Sequence, residues 1–174
     1  MEYNRNKSNN LNSYINKYGE ERGLKKYNKF LKNCCCYSKV SQELFWNIYS
    51  RLDEESKNNT YFATLNREFH KRINNRSYLY DFVITSKNIC IEFNGDDWHA
   101  NPKKYFASEI PGVYKNIDGT LTAKKIWERD KQKNGLLISM GYDIITVWES
   151  DFKKNPNHII EKCMGEIKNA NNKN

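Results

Sequence analysis

Residues 78–93 consist of two apolar runs around a short polar stretch. Two apolar runs, Tyr78–Ile84 and Asn88–Phe93, flank the polar turn Thr85–Lys87. Apolar runs of this length around a short polar turn predict a β-hairpin. Alternation predicts one face with Tyr80, Phe82, Ile84, Ile89, Ile91 and Phe93, and an opposite face with Leu79, Asp81, Val83, Cys90, Glu92 and Asn94.

Two carboxylates meet on the second of these faces. A four-residue loop over Thr85–Asn88 pairs Ile84 with Ile89, and counting back along both strands places Asp81 opposite Glu92. Directly opposed side chains have Cβ atoms about 5 Å apart, and like charges there are destabilising. A divalent cation such as Mg²⁺, completed by water and phosphate oxygens, would stabilise the pair. The structural alternative is a Lys or Arg that neutralises one carboxylate.

The elements before the hairpin are predicted to be a helix and a strand. Ser38 or Ser41 caps a helix through SQELFWNIYSRL, in which Leu44, Phe45, Ile48 and Leu52 form the buried stripe. The β-forming stretch Thr60–Phe69 predicts a strand that leads through residues 66–68 into a turn at Asn74–Asn75.

The chain beyond the hairpin alternates between loop, helix and strand. Residues 100–122 contain Pro and Gly without a sustained period and predict a long loop, with a short hairpin as an option. Thr122 begins a helix that Gly141 ends, and its inward stripe contains Asp130. Tyr142–Trp148 predicts a strand, and residues 156–168 predict the last helix. This order predicts an α/β domain with a mixed sheet.

The N-terminal region differs from this domain in pattern. Apolar positions at three-to-four spacing predict two short helices, or one broken helix, over residues 11–32, with Gly19 and Gly23 between them. We therefore expect a basic helical extension over 1–37, the main domain over 38–168 and a disordered tail over 169–174. The extension could contact DNA, or it could be a solvated segment packed on the domain.

Charge and composition restrict the partners and the compartment. The 29 Lys and Arg exceed the 21 Asp and Glu by a formal charge of +8, which favours a polyanion such as nucleic acid over a membrane surface. No apolar run approaches the roughly 18–20 residues that span a bilayer. The start, MEYNRNKSNN, lacks the apolar core of a signal peptide, so we expect a cytoplasmic protein. The run Cys34–Cys36 has no CxxC spacing, and no zinc site is expected.

Two further polar residues add to the carboxylate pair. His99 follows shortly after the strand that carries Glu92, and Asp130 occupies the inward stripe of a helix. An imidazole beside a metal held by carboxylates can act as a general base towards water or as a ligand. A metal, a water and a base are what phosphodiester hydrolysis requires. The alternatives are a structural histidine and an ordinary ion pair of Asp130 with Lys131 or Lys133.

The same segments carry a family resemblance. YDFVI, IEFNGDDWH, IWERDKQK and GYDIITVWESD together resemble the Vsr-like branch of the PD-(D/E)xK nuclease superfamily, and most closely the phage and intron-associated homing endonucleases with the EDxHD motif. The resemblance covers about residues 38–151. It implies a restriction-endonuclease-like αβββαβ core and a Mg²⁺-dependent DNA endonuclease, with Mn²⁺ as an alternative metal. The implied partner is double-stranded DNA in a bacterial or phage-infected cell, with the oligomeric state open and a dimer among the alternatives.

The resemblance also implies roles for individual residues. Asp81 matches the Asp of the PD position as principal metal ligand, and Glu92 matches the acid of (D/E)xK as second ligand. His99 matches the His of the WH element as base or phosphate contact, and Asp130 matches the final Asp. The leading acid is either Glu43 or Glu68, of which Glu68 has the better spacing to Asp81.

The sequence departs from the family pattern at two positions, and this changes the roles expected of other residues. Tyr80 stands in place of Pro, and Asn94 stands in place of the Lys of (D/E)xK, which places more weight on His99 and on Lys133 as a substitute cation. The zinc-binding residues of the Vsr mismatch-repair enzymes are missing, which argues against that role. Expected DNA contacts are Asn94, Lys103, Lys104, Lys115 and Lys133. The competing hypotheses are restriction or repair on the same fold, and a non-catalytic nucleic-acid-binding module.

Overall fold

The computed structural model describes residues 11–26, 37–65, 68–73 and 75–170. The chain divides into two compact units, Met1–Tyr37 and Ser38–Asn174. In the first unit, helix α1 (Leu11–Tyr18) and helix α2 (residues 20–26) are separated by Gly19, whose φ is +79°. The predicted helical residues 27–32, the Cys34–Cys36 run and tail residues 171–174 lie outside the described residues.

The second unit contains five helices and six strands among its described residues. The helices are α3 (Lys39–Ser50), α4 (Glu54–Asn58), α5 (Ala123–Ile138), α6 (Glu149–Lys154) and α7 (Pro156–Ala170). The strands are β1 (Thr60–Phe62), β2 (Phe69–Ile73), β3 (Arg76–Tyr80), β4 (Phe82–Ile84), β5 (Ile89–Asn94) and β6 (Asp143–Trp148). None of the helices in the described ranges has the length and apolar character needed to span a bilayer.

A mixed four-stranded sheet forms the centre of this unit, and the protein is an α/β protein. The strand order is β1-β4-β5-β6, and a separate two-stranded sheet consists of β2 and β3. The pairs β1–β4 and β4–β5 are antiparallel, whereas β5 and β6 are parallel. Helix α5 connects the two parallel strands, as a parallel pair requires a crossover. The predicted register is the observed one, because Ile84 pairs with Ile89.

Helices cover both faces of the sheet. On one face Phe82, Ile89 and Ile91 join a buried apolar cluster with residues of α3 and α7. On the other face Val83 and Cys90 pack with Tyr80 and with Leu137 of α5. The alternation of β5 therefore directs Glu92 to the α5 face, together with Cys90.

The predicted helices agree closely with the observed ones. Ser38 rather than Ser41 caps α3, because its side chain accepts hydrogen bonds from the backbone N–H groups of Val40 and Ser41. Thr122 caps α5 as predicted. Helix α5 ends slightly earlier than predicted, with Ser139 at its C-cap, and Gly141 follows with a φ of +88°.

Two predicted strands are divided in the structure. The run 78–84 breaks at Asp81, so that β3 pairs with β2 while β4 joins the central sheet. Alternation therefore fails there, and Tyr80 packs in the α5-side cluster with Val83 rather than with Phe82. The predicted strand Thr60–Phe69 is β1, a turn and the start of β2. Loop 100–122 contains a single 3₁₀ turn at Gly112–Tyr114 and no strand, and α7 continues to Ala170, beyond the predicted start of the tail.

Candidate active site

The break at Asp81 places its carboxylate beside Glu92. Asp81 lies between β3 and β4, and its Oδ2 accepts a hydrogen bond of 2.9 Å from the backbone N–H of Phe93 in β5. Phe82 pairs with Ile91, so Asp81 is the residue that comes next towards Glu92. A side chain held by the backbone of the neighbouring strand has a fixed position. The bend thus brings the two carboxylates together on the α5 side of the sheet.

Lys133 of α5 completes this cluster. Its Nζ lies 2.6 Å from Oε2 of Glu92, whose residue is only 3% exposed. Oε1 of Glu92 accepts a weak hydrogen bond of 3.6 Å from the Cys90 thiol. The backbone carbonyl of Lys133 in turn accepts a 3.0 Å hydrogen bond from the Tyr80 hydroxyl, which holds α5 against β3.

Burial raises the pKa of both carboxyl groups, and the charge of Asp81 adds to the shift at Glu92. Burial is the largest cause of the raised pKa of Glu92, about 7, and the charge of Asp81 adds to it, while Lys133 opposes the shift. Burial also raises the pKa of Asp81, against the lowering effects of Lys133, the Phe93 N–H and His99. Burial lowers the pKa of Lys133, but the charges of Glu92 and Asp81 outweigh it, so that the net pKa is raised. The single positive charge of Lys133 therefore neutralises only part of the negative charge of the two carboxylates.

His99 and Asp130 form a second pair. Nδ1 of His99 lies 2.6 Å from Oδ2 of Asp130, and Arg129 Nε lies 3.1 Å from the other oxygen of that carboxylate. Burial alone would raise the pKa of Asp130. The hydrogen bond from His99, the His99 charge and Arg129 outweigh burial, so the net pKa is lowered. An ionised Asp130 accepts a hydrogen bond, which assigns the proton of the neutral imidazole to Nδ1 and leaves the Nε2 lone pair open. The structure brings these two predicted residues into direct contact.

The two candidates for the leading acid have different surroundings. Glu68 is half-buried just before β2, and its pKa is raised by burial and by the nearby charge of Asp81. Glu43 is exposed on α3, which packs on the other face of the sheet, away from the α5 side. The structure therefore places Glu68, and not Glu43, near Asp81.

The predicted DNA contacts of loop 100–122 are partly engaged within the protein. Lys103 Nζ lies 2.8 and 2.9 Å from the two oxygens of Asp151, and Lys104 Nζ lies 2.6 Å from Asp97. Lys115 is exposed, and Asn94 is half-buried at the end of β5. Exposed ion pairs of this kind are weak in water and exchange readily for phosphate.

Buried side chains hold the segment around His99 in place. Asn101 is 2% exposed, and its Nδ2 donates a 2.6 Å hydrogen bond to Asp96. Trp127 of α5 donates from Nε1 to the carbonyl of Ala100, at 2.7 Å. Sequence reasoning missed Asn101, Arg129 and the Tyr80 hydroxyl as parts of the site. The signal for Asn101 was its position two residues after His99, but an isolated Asn in a loop is usually a turn residue.

A divalent metal fits two of these carboxylates. The half-buried Asp81 and the buried Glu92 are adjacent and incompletely neutralised, which is the situation that a bound cation stabilises. Among the described residues, no group of three or more His, Cys, Asp and Glu side chains is arranged to hold a metal ion. Mg²⁺ is commonly bound by only one or two carboxylates, with water and substrate phosphate as the other ligands. The donor set fits Mg²⁺ or Mn²⁺ and lacks the tetrahedral thiolate and imidazole ligands of a structural zinc site.

The raised pKa of Glu92 predicts a pH-dependent stability. Between the ordinary glutamate pKa of 4.5 and about 7, the folded protein binds a proton that the unfolded chain has lost. The free energy of unfolding should therefore fall as pH rises through this interval, by up to about 3 kcal/mol. Urea unfolding in EDTA at pH 5 and pH 8 measures it, and Glu92→Gln should reduce the difference between the two pH values. An equal difference in the variant would contradict the assignment to Glu92.

Comparison with known proteins gives no match to a family model, to a curated protein or to a solved structure.

Proposed function

We propose that this protein is a metal-dependent DNA endonuclease that hydrolyses phosphodiester bonds, of the homing type that its sequence motifs resemble. The observation that carries the proposal is the convergence of two mutually repelling carboxylates, the buried Glu92 and the half-buried Asp81, on Lys133. Such a pair lowers stability, and sites where burial and like charges shift pKa values are frequently functional. The His99–Asp130 pair supports the same conclusion, because it supplies a base oriented by an acid.

Asp81 and Glu92 are the residues that would hold Mg²⁺, with Mn²⁺ as a substitute. A bound Mg²⁺ supplies Lewis-acid stabilisation of charge on phosphate oxygens. Glu68, whose carboxyl group is close enough to Asp81 for their charges to interact, would add negative charge to the same region. Lys133 neutralises part of this charge and can also donate to a phosphate oxygen, the role that a lysine on β5 would have had at the position of Asn94.

His99 is the group that can accept the proton of the attacking water. With its proton on Nδ1 and its hydrogen bond to Asp130, the imidazole presents the Nε2 lone pair. Asp130 then stabilises the imidazolium that forms when Nε2 takes the proton. His99 and, to a smaller extent, Arg129 lower the pKa of Asp130, which keeps this carboxylate ionised and so maintains the tautomer on which the base depends.

The order of elements also supports the proposal. Apart from the short helix α4 after α3 and the β2–β3 hairpin between β1 and β4, the order α3, β1, β4, β5, α5, β6 is compatible with the αβββαβ order that the resemblance implies. Fold alone does not establish function, so the proposal rests on the site. The formal charge of +8 is consistent with DNA as the partner.

Cleavage of supercoiled plasmid tests the proposed function. We expect the wild-type protein to nick or linearise the plasmid in Mg²⁺ or Mn²⁺ and to be inactive in EDTA, because the carboxylates need a bound cation to stabilise the reacting phosphate. Gel electrophoresis of the products measures the result. Glu128→Gln, an exposed change on α5, is the control and should cleave normally. Retardation of DNA in a gel without cleavage in either metal would replace the endonuclease by a nucleic-acid-binding module.

A further inference from the structure

The β2–β3 hairpin is the feature of the domain that the proposed chemistry does not use. Residues 69–80 contain Lys71, Arg72 and Arg76 and no acidic residue. Among the described residues, none of these three cations lies within ion-pair distance of a carboxylate. The hairpin is therefore a basic element, whereas Lys103 and Lys104 of loop 100–122 are paired with Asp151 and Asp97.

The hairpin begins and ends at the site. Glu68 directly precedes β2 and Asp81 directly follows β3. Phe69 pairs with Tyr80 at the base of the hairpin, and the ring of Phe69 also contacts the ring of Tyr142. The base is thus fixed to the core beside the carboxylates, while the other end, at Asn75 with a φ of +61°, points away along the strands.

The two faces of the hairpin differ in burial. The register opposes Lys71 to Tyr78, on the same face as the Phe69–Tyr80 pair, and this face is partly buried against the domain. The other face carries the opposed pairs His70 with Leu79 and Arg72 with Ser77, and all four residues are exposed. Leu79 is 51% exposed, although it lies between two aromatic residues that pack inwards. The exposed face therefore presents a cation, an imidazole, a hydroxyl and an aliphatic side chain side by side.

A groove connects the partly buried side of the hairpin to the site. It has a volume of about 410 Å³ and lies between β3 and α5. Its lining includes the cations Arg76, Arg129 and Lys133, together with Asp130. Three cations along a groove that also reaches Asp130, the hydrogen-bond partner of His99, suit a phosphate backbone.

We infer that the exposed face of the β2–β3 hairpin enters the major groove of DNA and reads base edges there, while the groove beside it holds the backbone that leads to the site. This inference rests on the proposed function, because it takes DNA as the substrate. A two-stranded ribbon fits the roughly 12 Å wide major groove. Arg72 can donate two hydrogen bonds to one guanine, Ser77 and His70 can bond to base edges, and Leu79 can contact a thymine methyl group.

The length of the hairpin limits which base pairs it reads. Each strand has five residues, and at about 3.4 Å per residue it extends about 17 Å from the carboxylates. With a rise of about 3.4 Å per base pair, the bases that it reads lie within about five base pairs of the cleaved bond. Sequence preference is therefore expected close to the cut.

Selection of bound sequences from a pool of random DNA duplexes in EDTA tests the hairpin. Arg72→Ala should weaken binding. It should also lower the preference for guanine at one position by about 5- to 100-fold, because one bidentate contact is lost. Arg72→Lys should restore most of the affinity but not the preference, because lysine keeps the charge without the planar fork. Lys168→Ala, an exposed cation on α7, should change neither property. An unchanged preference in Arg72→Ala, or the absence of any preference in the wild type, would overturn the inference.

The binding selection is independent of cleavage, so the two proposals can fail separately. Metal-dependent cutting with a sequence preference that is the same in Arg72→Ala and the wild type overturns the role of the hairpin and keeps the endonuclease. Binding preference that depends on Arg72 without any cutting in Mg²⁺ or Mn²⁺ keeps the hairpin as a DNA reader and rejects the endonuclease.

Discussion

Asp81→Asn is expected to abolish DNA cleavage and, in the same variant, to raise the stability of the metal-free protein. Loss of one of the two carboxylates that would hold the metal should lower the cleavage rate about 10³-fold, which corresponds to about 4 kcal/mol of transition-state stabilisation. The plasmid assay in Mg²⁺ measures this loss. The amide oxygen of Asn can still accept the hydrogen bond from the Phe93 N–H, so the local structure should be kept.

The gain in stability has a separate physical cause. Burial raises the pKa of Asp81, and the charge of Asp81 contributes to the raised pKa of Glu92. A neutral side chain at residue 81 removes both penalties, while Lys133 keeps its ion pair with Glu92. We expect an increase of about 1–3 kcal/mol in the free energy of unfolding in EDTA. For a chain of this size, that corresponds to a rise in Tm of roughly 3–10 °C.

Thermal unfolding in EDTA, with Glu128→Gln as the matched surface control, separates function from structure at Asp81. A structural ion pair would give the opposite result, because removing one partner of a buried pair destabilises the protein. Lower stability together with normal cleavage in Asp81→Asn would therefore reject both the metal site and the proposed function. Mg²⁺ should raise the Tm of the wild type and have a smaller effect on the variant, since ligand binding stabilises only the state that binds.

The register of the central hairpin could be predicted because local rules determine it. The polar turn Thr85–Lys87 leaves one pairing that keeps Ile84 and Ile89 on the buried face, and a slip by one residue would expose the apolar positions. The same rule placed Asp81 next to Glu92. Periodicity and capping likewise gave the positions of α3 and α5, because Ser38 and Thr122 are strong N-cap residues in front of periodic apolar stripes.

The division of the chain at Asp81 could not be predicted in the same way. The run 78–84 is apolar except at Asp81, and a bend of one residue leaves no trace in a pattern of that kind. What divides it is a tertiary contact, the hydrogen bond between Asp81 and the Phe93 N–H. The turn at Asn74–Asn75 was predicted, but the pairing of β2 with β3 was not, because the basic residues Lys71, Arg72 and Arg76 obscure the alternation.

The contact between Lys133 and Glu92 could be predicted only in part. Helical spacing shows that Lys133 is three residues after Asp130, so both side chains lie near one face of α5. Sequence analysis could name Lys133 as a substitute for the missing lysine of β5, but which way α5 faces depends on how Leu137 and Ile126 pack. The 2.6 Å ion pair with Glu92 follows from that packing.

Asp130→Asn is expected to lower the cleavage rate about 10²- to 10³-fold with little change in DNA affinity. An amide can donate to Nδ1 of His99, which favours the tautomer with its proton on Nε2 and removes the lone pair that would accept the proton of water. His99→Ala should lose at least as much activity. Single-turnover cleavage and gel retardation, measured in parallel, separate the rate of the chemical step from DNA binding.

The double variant His99→Ala with Asp130→Asn decides whether the two residues act as a unit. If Asp130 acts through His99, then Asp130→Asn should cause little further loss once the imidazole is absent, because there is no tautomer left to control. Multiplication of the two single losses in the double variant would show that Asp130 acts on its own. The matched control is Asp151→Asn, which removes an acid that pairs only with the loop residue Lys103 among its described ion pairs and should leave the rate nearly unchanged. Normal cleavage by Asp130→Asn would remove the oriented base from the mechanism and leave the carboxylate cluster as the sole candidate for the chemistry.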